Sequence, residues 1–485
     1  MGYYIGIDLG TSGVKALLMD AAQNPIAEAT APLTVQRPKP GWSEQGPGDW
    51  IAAAVAVMDD IAARHPDCLA ALRGIGLSGQ MHGATILGRD DIPLRPAILW
   101  NDGRSVDACR VLDDRADFRG IGGNLVMPGF TAPKIEWLRG HEPDVFDRIS
   151  KILLPKDYLR LTLTGDHISD MSDSAGTLWL DVGGRDWSPD LLAATGLTRA
   201  QMPDLVEGTA PGGVLRSDLA ARWGIKRAPV VAGGGGDNAA SAVAVGAVEP
   251  GTGFLSLGTS GVLFASGAAF APNTDHAAHA FCHAVPDTWH QMGVILAATD
   301  ALNWLSAISR TGPAELAGLA ANAPADHGVI ALPYLSGERT PHNTAAPQGA
   351  FAGLGQSTDL GVLARAMMEA VGFAFADCTR VLQATGNSLG PVVALGGGAQ
   401  SHFWLQTIAS ITGLTLQIPD KGAFGAAFGA ARLAIVAAGD SSVTETITPI
   451  PIAREIAPQS AEQERLGAAY ARYQATYPAL TAALT

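Results

Sequence analysis

Apolar positions alternate in two short strand–turn–strand units, one at the start of the chain and one near its middle. Residues 3–7 and 14–19 flank the turn Gly10-Thr11-Ser12-Gly13, and residues 253–256 and 262–265 flank an identical turn at 258–261. Apolar alternation on both sides of a glycine-containing turn is typical of a β-hairpin. The pattern therefore predicts two hairpins that each present a Gly-Thr-Ser-Gly tip.

The two hairpins share the six letters LGTSGV, at residues 9–14 and again at 257–262, about half the chain later. Such an identity at equivalent places favours an internal duplication over a chance match. A stretch rich in glycine with one proline, residues 248–253, separates the two copies. We therefore predict an N-terminal domain over 1–247 and a C-terminal domain over 248–485.

Each half also alternates helical and strand patterns. The periodicity predicts helices over 49–63, 156–163, 364–385, 422–438 and a solvent-facing one over the final residues 461–485, with strands over 74–78, 97–100, 151–154 and 392–395. Alternation of this kind indicates the α/β class with one sheet in each half.

Composition and charge narrow the function classes. Hydrophobic residues make up 47% of the chain and charged residues 16%, as in a globular enzyme. The net charge of -14 argues against a nucleic-acid or anionic-membrane partner. The sequence shows neither a leader-like start nor an apolar run long enough to span a bilayer. Its four cysteines are widely spaced, so we expect reduced thiols and a cytoplasmic location.

Asp8 lies where the first strand meets its turn. A carboxylate at that place can hold Mg²⁺, and the backbone and hydroxyl groups of Gly10, Thr11 and Ser12 can bind phosphate. The alternative is an ordinary hairpin turn beside a capping aspartate. The second copy favours the phosphate interpretation, but it has Ser256 in place of Asp8, so we expect the metal on the first loop only.

A second acidic candidate follows a glycine run. The apolar residues 230–232 lead into four glycines and then into Asp237 and Asn238. Phosphoryl transfer to an alcohol needs a carboxylate within reach of the attacking hydroxyl, and Asp237 could supply it. The alternative is a plain helix-capping aspartate. Since the chain lacks the GxxxxGK[ST] motif, any nucleotide would have to be held by the hairpin tips.

Polar side chains follow two of the predicted strands. Met81 and His82 come after residues 74–78, and Trp100 and Asp102 end or follow residues 97–100. Ligands bind at the carboxyl ends of strands in α/β sheets, and these groups suit a polyol. The alternatives are a structural loop histidine and a surface pair of Asp102 with Arg104. The glycine turn 396–398 could in the same way lie against adenine.

Together these segments resemble the FGGY carbohydrate kinases, and within them the branch that phosphorylates xylulose. The resemblance rests on IGIDLGTSGVKALL, WSEQ, LSGQMHGATIL, LRPAILWNDGR, MPGFTAPK, LLPKDYLRL, SDMSDSAGTLWLDV, VVAGGGGDNAA, LSLGTSGV and PYLSGERTPHN, which extend to about residue 433. It implies two ribonuclease-H-like domains of the actin/hexokinase-like ATPase type around a cleft. It also implies transfer of phosphate from ATP to D-xylulose with Mg²⁺.

The resemblance assigns roles by motif. Asp237 would accept the proton of the 5-hydroxyl and Asp8 would lie in the Mg–ATP site. The sugar contacts would be Met81, His82, Trp100, Asp102 and Asn238, and the ATP contacts Gly10, Thr11, Ser12, Gly258, Thr259, Gly397 and Gly398.

Two segments depart from the family pattern: four glycines precede Asp237 where three are usual, and residues 420–424 differ near the expected adenine pocket. Alternatives stay open at this point. They are a kinase for ribulose or arabitol, an actin-like ATPase without a sugar, and a silent sugar-binding regulator. A homodimer is among the assemblies that we expect.

Overall fold

The computed structural model describes residues 2–420 and 425–484 and contains two seven-stranded sheets. The strands of the first sheet are β1 (Tyr3–Leu9), β2 (Gly13–Asp20), β3 (Pro25–Pro32), β4 (Leu72–Gly79), β5 (Pro211–Val214), β6 (Val230–Ala232) and β7 (Gly235–Gly236). Their order is β5-β6-β4-β1-β2-β3, and β7 also pairs with β4.

The second sheet repeats the central part of this arrangement. Its strands are β8 (Gly253–Leu257), β9 (Gly261–Gly267), β10 (His279–Cys282), β11 (Trp289–Ile295), β12 (Val392–Leu395), β13 (Leu416–Pro419) and β14 (Ile452–Ile456), in the order β10-β11-β9-β8-β12-β13-β14. In each sheet an antiparallel hairpin lies beside a parallel strand that returns later in the chain. The shared order confirms the predicted pair of ribonuclease-H-like domains.

Seven helices matter for the site and its supports. They are α1 (Pro47–Arg64), α2 (Pro155–Thr164), α3 (Asp237–Val245), α4 (Thr299–Ser309), α5 (Leu360–Gln383), α6 (Ala426–Ala437) and α7 (Ser460–Leu484). Other α-helices cover Pro66–Ala70, Val106–Asp113, Phe118–Gly122, Thr131–His141, Pro143–Phe146, Met171–Ala175, Pro189–Ala194, Ser217–Arg222, Pro313–Asn322, His402–Thr412 and Val443–Thr446. Short 3₁₀ turns cover Arg199–Gln201, Thr274–His276 and Gly397–Gln400.

Five two-stranded sheets complete the fold. They pair Glu44–Gln45 with Ala97–Ile98, Thr85–Leu87 with Lys151–Leu153, Ile168–Asp170 with Asp204–Val206, Leu180–Asp181 with Asp186–Trp187, and Ile330–Leu332 with Ala350–Ala352.

Apolar faces of the helices form a core on each sheet. Helix α1 buries Trp50, Val57 and Ile61 against the first sheet, which explains its period of three to four residues. Helix α5 is buried along nearly its whole length in the second half. No helix in the described part of the chain is long and apolar enough to cross a membrane. All four cysteines are free thiols, as predicted.

Helix α6 links the two halves. It belongs to the C-terminal half of the sequence but packs on β1 and β4 of the first sheet and on α3. Glycines permit this close approach: a Cβ on Gly76 would lie 1.7 Å from the carbonyl oxygen of Ala430, and one on Gly429 would lie 1.8 Å from that of Ala240. The domain division at 247 and 248 separates the two sheets and stays a prediction.

Three details differ from the sequence-based expectations. The strand predicted over 97–100 ends at Ile98, because the chain turns there and leaves Trp100 about half exposed, at 48%. The final helix is not wholly solvent-facing, since it buries Leu466 and Tyr473. Of the helix predicted over 422–438, residues 422–424 lie outside the described residues, and α6 begins at Ala426.

We expect Gly76→Ala to lower the free energy of unfolding by about 1–3 kcal/mol or more, because its methyl group would overlap the backbone of α6. Thermal unfolding of the purified variant measures this loss. Gly140→Ala is the matched control: its position in the helix Thr131–His141 has open space, and alanine is the better helix former there. Equal melting temperatures for the two variants would contradict the packing of α6 on β4.

Candidate active site

The two predicted catalytic carboxylates lie at the carboxyl ends of parallel strands in the first sheet. Asp8 in β1 pairs with Ser78 of β4, and Gly235 of β7 pairs with Ser78 from the other side. Asp237 follows β7 directly and begins α3. Pairing of three strands therefore brings Asp8 to one side of Ser78 and the short strand that leads into Asp237 to the other.

The surroundings of Asp237 make it a stronger base than an exposed aspartate, while leaving it ionised near neutrality. Burial raises the pKa of Asp237 to about 6, and the charge of Asp8 adds to this rise. The backbone N–H and the side-chain amide of Asn238 donate to Oδ1 of Asp237 at 2.7 and 3.0 Å and oppose it. A carboxylate whose pKa is close to the working pH is suited to accept a proton from a hydroxyl.

Asp8 has the features of a cation ligand. Burial raises the pKa of Asp8, although Ser78 and Lys15 act against the rise. Its Oδ1 atom is buried and has no hydrogen-bond partner among the described residues. Lys15, its neighbour across the hairpin, forms an ion pair with Glu28 at 2.9 Å instead. A buried carboxylate oxygen without a partner is costly, and a bound divalent cation would remove that cost.

The glycine run before Asp237 threads between other backbone segments. Gly234 has a φ of +81°, which favours glycine. A Cβ on Gly233 would lie 2.1 Å from the carbonyl oxygen of Glu207, and one on Gly234 would lie 2.3 Å from that of Leu77. Side chains are therefore excluded from this turn, which carries Asp237 to its place.

Buried side chains hold this turn from below. The hydroxyl of Ser172 accepts the N–H of Gly236 at 3.1 Å and donates to Oδ2 of Asp170 at 2.5 Å. Nη2 of Arg160 donates to the carbonyl of Gly233 at 2.6 Å. The position of the turn therefore depends on polar groups that the sequence analysis did not identify.

These supports belong to a buried ion cluster. The ammonium of Lys156 contacts Asp157 and lies 2.9 Å from Asp170 and 3.6 Å from Asp173. Burial and the neighbouring carboxylates raise the pKa of Asp173 well above its usual range, against the effect of Lys156. The three carboxylates are close enough to hold a metal ion, but the ammonium of Lys156 already lies among them.

A chain of polar side chains joins the first hairpin tip to the predicted sugar loops. The indole N–H of Trp100 donates to Oγ1 of Thr11 at 3.0 Å, and Thr11 donates to Oε1 of Gln80 at 2.9 Å. Gln80 donates to Gln45 at 3.0 Å, and Gln45 donates to the carbonyl of Thr11 at 2.8 Å. The predicted phosphate residue Thr11 and the predicted sugar residue Trp100 are therefore in contact, beside the exposed neighbour Ser12.

Met81 and His82 lie next to the Asp237 turn. Gly236 faces the side chain of Met81, since a Cβ there would lie 2.9 Å from its sulfur. Nδ1 of His82 lies 2.6 Å from the carbonyl of Gly176, so Nδ1 carries the proton and Nε2 is left as an acceptor. Burial lowers the pKa of His82 to about 3, which keeps the ring neutral. A neutral acceptor of this kind can bind a sugar hydroxyl.

Asp102 is buried rather than a member of a surface pair. Its Oδ2 atom accepts the N–H of Ser43 at 2.6 Å and Nη2 of Arg104 at 2.7 Å. Arg104 also pairs with Glu44 at 2.7 Å. These partners occupy Asp102 in the structure, and a direct sugar contact for it stays a prediction.

The predicted ATP residues of the second half also lie together. Carbonyls of Gly258 and Thr259 accept backbone N–H groups at the start of α4, at 2.9 Å. A Cβ on Gly396 would lie 2.6 Å from the carbonyl of Leu257, and one on Gly398 would lie 2.5 Å from its side chain. The turn 396–398, which includes Gly397, therefore lies directly against the second hairpin tip.

We expect Ser172→Ala to loosen the turn before Asp237, because Gly236 would lose its hydrogen-bond acceptor at a cost of about 1 kcal/mol. Hydrogen exchange of peptides that cover residues 233–238 should become faster. Ser241→Ala is the control, since that hydroxyl donates only to the carbonyl of Asp237 within α3. If the hydrogen exchange of these peptides were unchanged in Ser172→Ala, Ser172 would not stabilise the turn.

Comparison with known proteins agrees with this geometry. The N-terminal domain model of the FGGY family of carbohydrate kinases matches residues 3–244, and the C-terminal domain model matches residues 253–438. Xylulose kinase of Escherichia coli (strain K12) is 47% identical over 477 residues, which cover 97% of this chain and 96% of that protein.

Several solved structures match over 99% of both chains. The crystal structure of a "xyloylose kinase" from Brucella ovis has a TM-score of 0.97 at 53% identity, and that of xylulose kinase from Rhodospirillum rubrum has a TM-score of 0.92 at 29% identity. Because both domain models match and the relatives align over nearly their full length, this chain belongs to the FGGY family of carbohydrate kinases.

Proposed function

We propose that the chain transfers the γ-phosphoryl group of ATP to the 5-hydroxyl of D-xylulose. The observation that supports this proposal is the position of Asp237, which directly follows Gly236 beside Met81 and whose pKa is raised to about 6 by burial and by the charge of Asp8. We take the hairpin of Asp8 as the phosphate side of this proton acceptor and the loop of Met81 and His82 as its sugar side. The relatives named xylulose kinase supply the choice of sugar.

The proposed step needs few groups. Met81, His82 and Asn238 would orient the sugar so that its 5-hydroxyl faces Asp237. Asp237 takes the hydroxyl proton while that oxygen forms a bond to the γ-phosphorus, and the bond from phosphorus to ADP breaks. The N–H groups of the hairpin tips would contact the phosphates as charge shifts to the leaving oxygen.

The residues present fit a magnesium ion with the nucleotide. The buried Oδ1 of Asp8 is the group that would hold it, directly or through water. When bound, the ion would screen the phosphate charges. We also propose the cytoplasm as the place of the reaction, since all four cysteines are free thiols. A homodimer stays a prediction.

ADP release with a panel of sugars tests the substrate. D-Xylulose should give the highest kcat/KM, above D-ribulose and D-arabitol, and ADP release without a sugar should be slow. A sugar-independent rate equal to the rate with xylulose would instead indicate an ATPase. If another sugar of the panel gave a higher kcat/KM, that sugar and not D-xylulose would be the preferred substrate.

We expect Asp237→Asn to lower kcat about 10²–10⁴-fold, because the amide cannot accept the hydroxyl proton. Binding of Mg–ATP, measured by calorimetry, should stay close to that of the unchanged chain. Asp107→Asn is the control, since that side chain is 95% exposed. Turnover within threefold of the unchanged chain would exclude Asp237 as the base.

The pKa of Asp237 also predicts a pH dependence. The base must be ionised, so kcat/KM for the sugar should fall about tenfold per pH unit below about pH 6. An ordinary aspartate would keep the rate constant to about pH 4. His82 does not titrate in this window, because its pKa is about 3. A profile that stays flat from pH 7 to pH 5 would contradict the assignment.

A further inference from the structure

The C-terminal half places an arginine beside the proposed sugar pocket. Arg339 lies in the segment PYLSGERTPHN, and Nη1 of Arg339 donates to the sulfur of Met127 in the N-terminal half. Phe130, in the same loop as Met127, packs its ring on His82 with 4.5 Å between ring centroids. Arg339 therefore reaches from one half of the chain to the side of the pocket that His82 lines.

The backbone around Arg339 is firmly attached to the second sheet. Oε1 of Glu338 accepts the N–H of Leu296 at 2.9 Å and that of Arg339 at 2.7 Å. Thr340 donates its N–H to Val294 at 3.0 Å and its hydroxyl to the carbonyl of Ala277 at 3.1 Å. Anchors on both sides fix the backbone from which the Arg339 side chain extends, so that less freedom is lost when it binds a ligand.

The guanidinium has N–H groups that remain open to a ligand. Among the described residues, the weakly accepting sulfur of Met127 is the sole hydrogen-bond acceptor of its side chain, and the other nitrogens are accessible to water. Burial lowers the pKa of Arg339, and the charge of Glu338 acts against this change. A cation with five N–H donors is satisfied best by oxygen acceptors, so a ligand rich in oxygen is the expected partner.

The charge of Arg339 acts on one side of the pocket. After burial, it contributes to the lowered pKa of both His82 and His279. Together with the contact of Arg339 with Met127 and of Phe130 with His82, this sets Arg339 on the His82 side of the pocket. If Asp237 receives the reacting hydroxyl, Arg339 would face the other end of the sugar.

We propose that Arg339 binds the non-reacting end of the substrate, with its N–H groups directed at the carbonyl oxygen and terminal hydroxyl of a 2-ketose. The proposal rests on the proposed function, since it takes the sugar to be a ketopentose with its 5-hydroxyl at Asp237. A contact remote from the transferred phosphoryl group stabilises the bound substrate and the transition state alike. Loss of Arg339 should therefore raise KM for the sugar and leave kcat largely unchanged.

The test is the kinetics of Arg339→Met and Arg339→Lys. Removing a charged hydrogen-bond donor should raise KM for D-xylulose about 10- to 100-fold in Arg339→Met, with smaller changes in kcat and in KM for ATP. Arg339→Lys keeps the charge but loses the planar fork, so its KM should be intermediate. Arg454→Met is the matched control, because Arg454 is exposed on β14.

Xylitol separates recognition of the carbonyl from general sugar binding. It has a hydroxyl where the ketose has its carbonyl, so as a competitive inhibitor its Ki should rise less than KM for D-xylulose in Arg339→Met. An equal rise of the two constants would overturn the assignment of the carbonyl. A rise confined to KM for ATP would place Arg339 on the nucleotide and overturn the proposal.

The outcomes distinguish the two proposals. If the unchanged chain releases no ADP with D-xylulose, the proposed function fails whatever the variants do. If the unchanged chain turns over D-xylulose and Arg339→Met or Arg339→Lys, folded by thermal unfolding, keeps the same KM within twofold, only the role of Arg339 fails.

Discussion

Strand β4, Leu72–Gly79, pairs in parallel with β1 on one side and with β7 on the other, and the geometry of the site depends on this double pairing. It sets Asp8 on one side of Ser78 and the short strand that leads into Asp237 on the other, and the loop of Gln80, Met81 and His82 leaves from its end. Parallel strands hold register through evenly spaced hydrogen bonds between buried backbones. The groups proposed for metal binding, proton transfer and sugar binding are thus positioned relative to one another by backbone pairing.

The carboxylates Asp8 and Asp237 differ in their electrostatic surroundings from the buried carboxylates around Lys156. At the proposed substrate site, burial and the neighbouring charge of Asp8 raise the pKa of Asp237, which makes it a stronger base than an exposed aspartate. Beneath them, the ammonium of Lys156 lies among the buried carboxylates. Because an unpaired buried charge is costly, the lower cluster can fix the turn of Asp237 only if its charges balance. The upper pair is left unbalanced where a cation and a proton are expected to bind.

Local sequence patterns predicted many of the secondary-structure elements and turns that carry the candidate site. Both hairpins, the long helices and the strand 392–395 follow from the period of apolar residues and from turn chemistry, which depend on neighbours in the chain. The repeated LGTSGV identified both hairpin tips, and the glycine run identified the turn of Asp237. The strand that was predicted over 97–100 ends two residues early, at Ile98. The chain turns there toward Asp102, whose carboxylate accepts a hydrogen bond from the N–H of Ser43, 59 positions away.

Contacts between distant segments were not predictable in this way. The packing of α6 on the first sheet requires Gly76 to meet Ala430, and no periodicity links those positions. Lys156 and Arg160 read as part of an ordinary amphipathic helix, although both are fully buried. From the sequence, Arg339 was noted only as part of the segment PYLSGERTPHN, and no role was predicted for it. Its contact with Met127 of the other half becomes visible only in the folded chain.

The two halves use one topology for two different tasks. Leu9 pairs with Gly79 at the end of β4, and by the same register Leu257 would face Gly396 after β12. The next positions hold Gln80 and Met81 in the first half but glycines in the second. Side chains at this place can discriminate the hydroxyls of a small polar ligand, whereas bare backbone admits a flat ring at close range. The two halves therefore present equivalent loops that differ in their side chains at two positions, and this difference suits the first loop to the proposed sugar and the second to the proposed nucleotide.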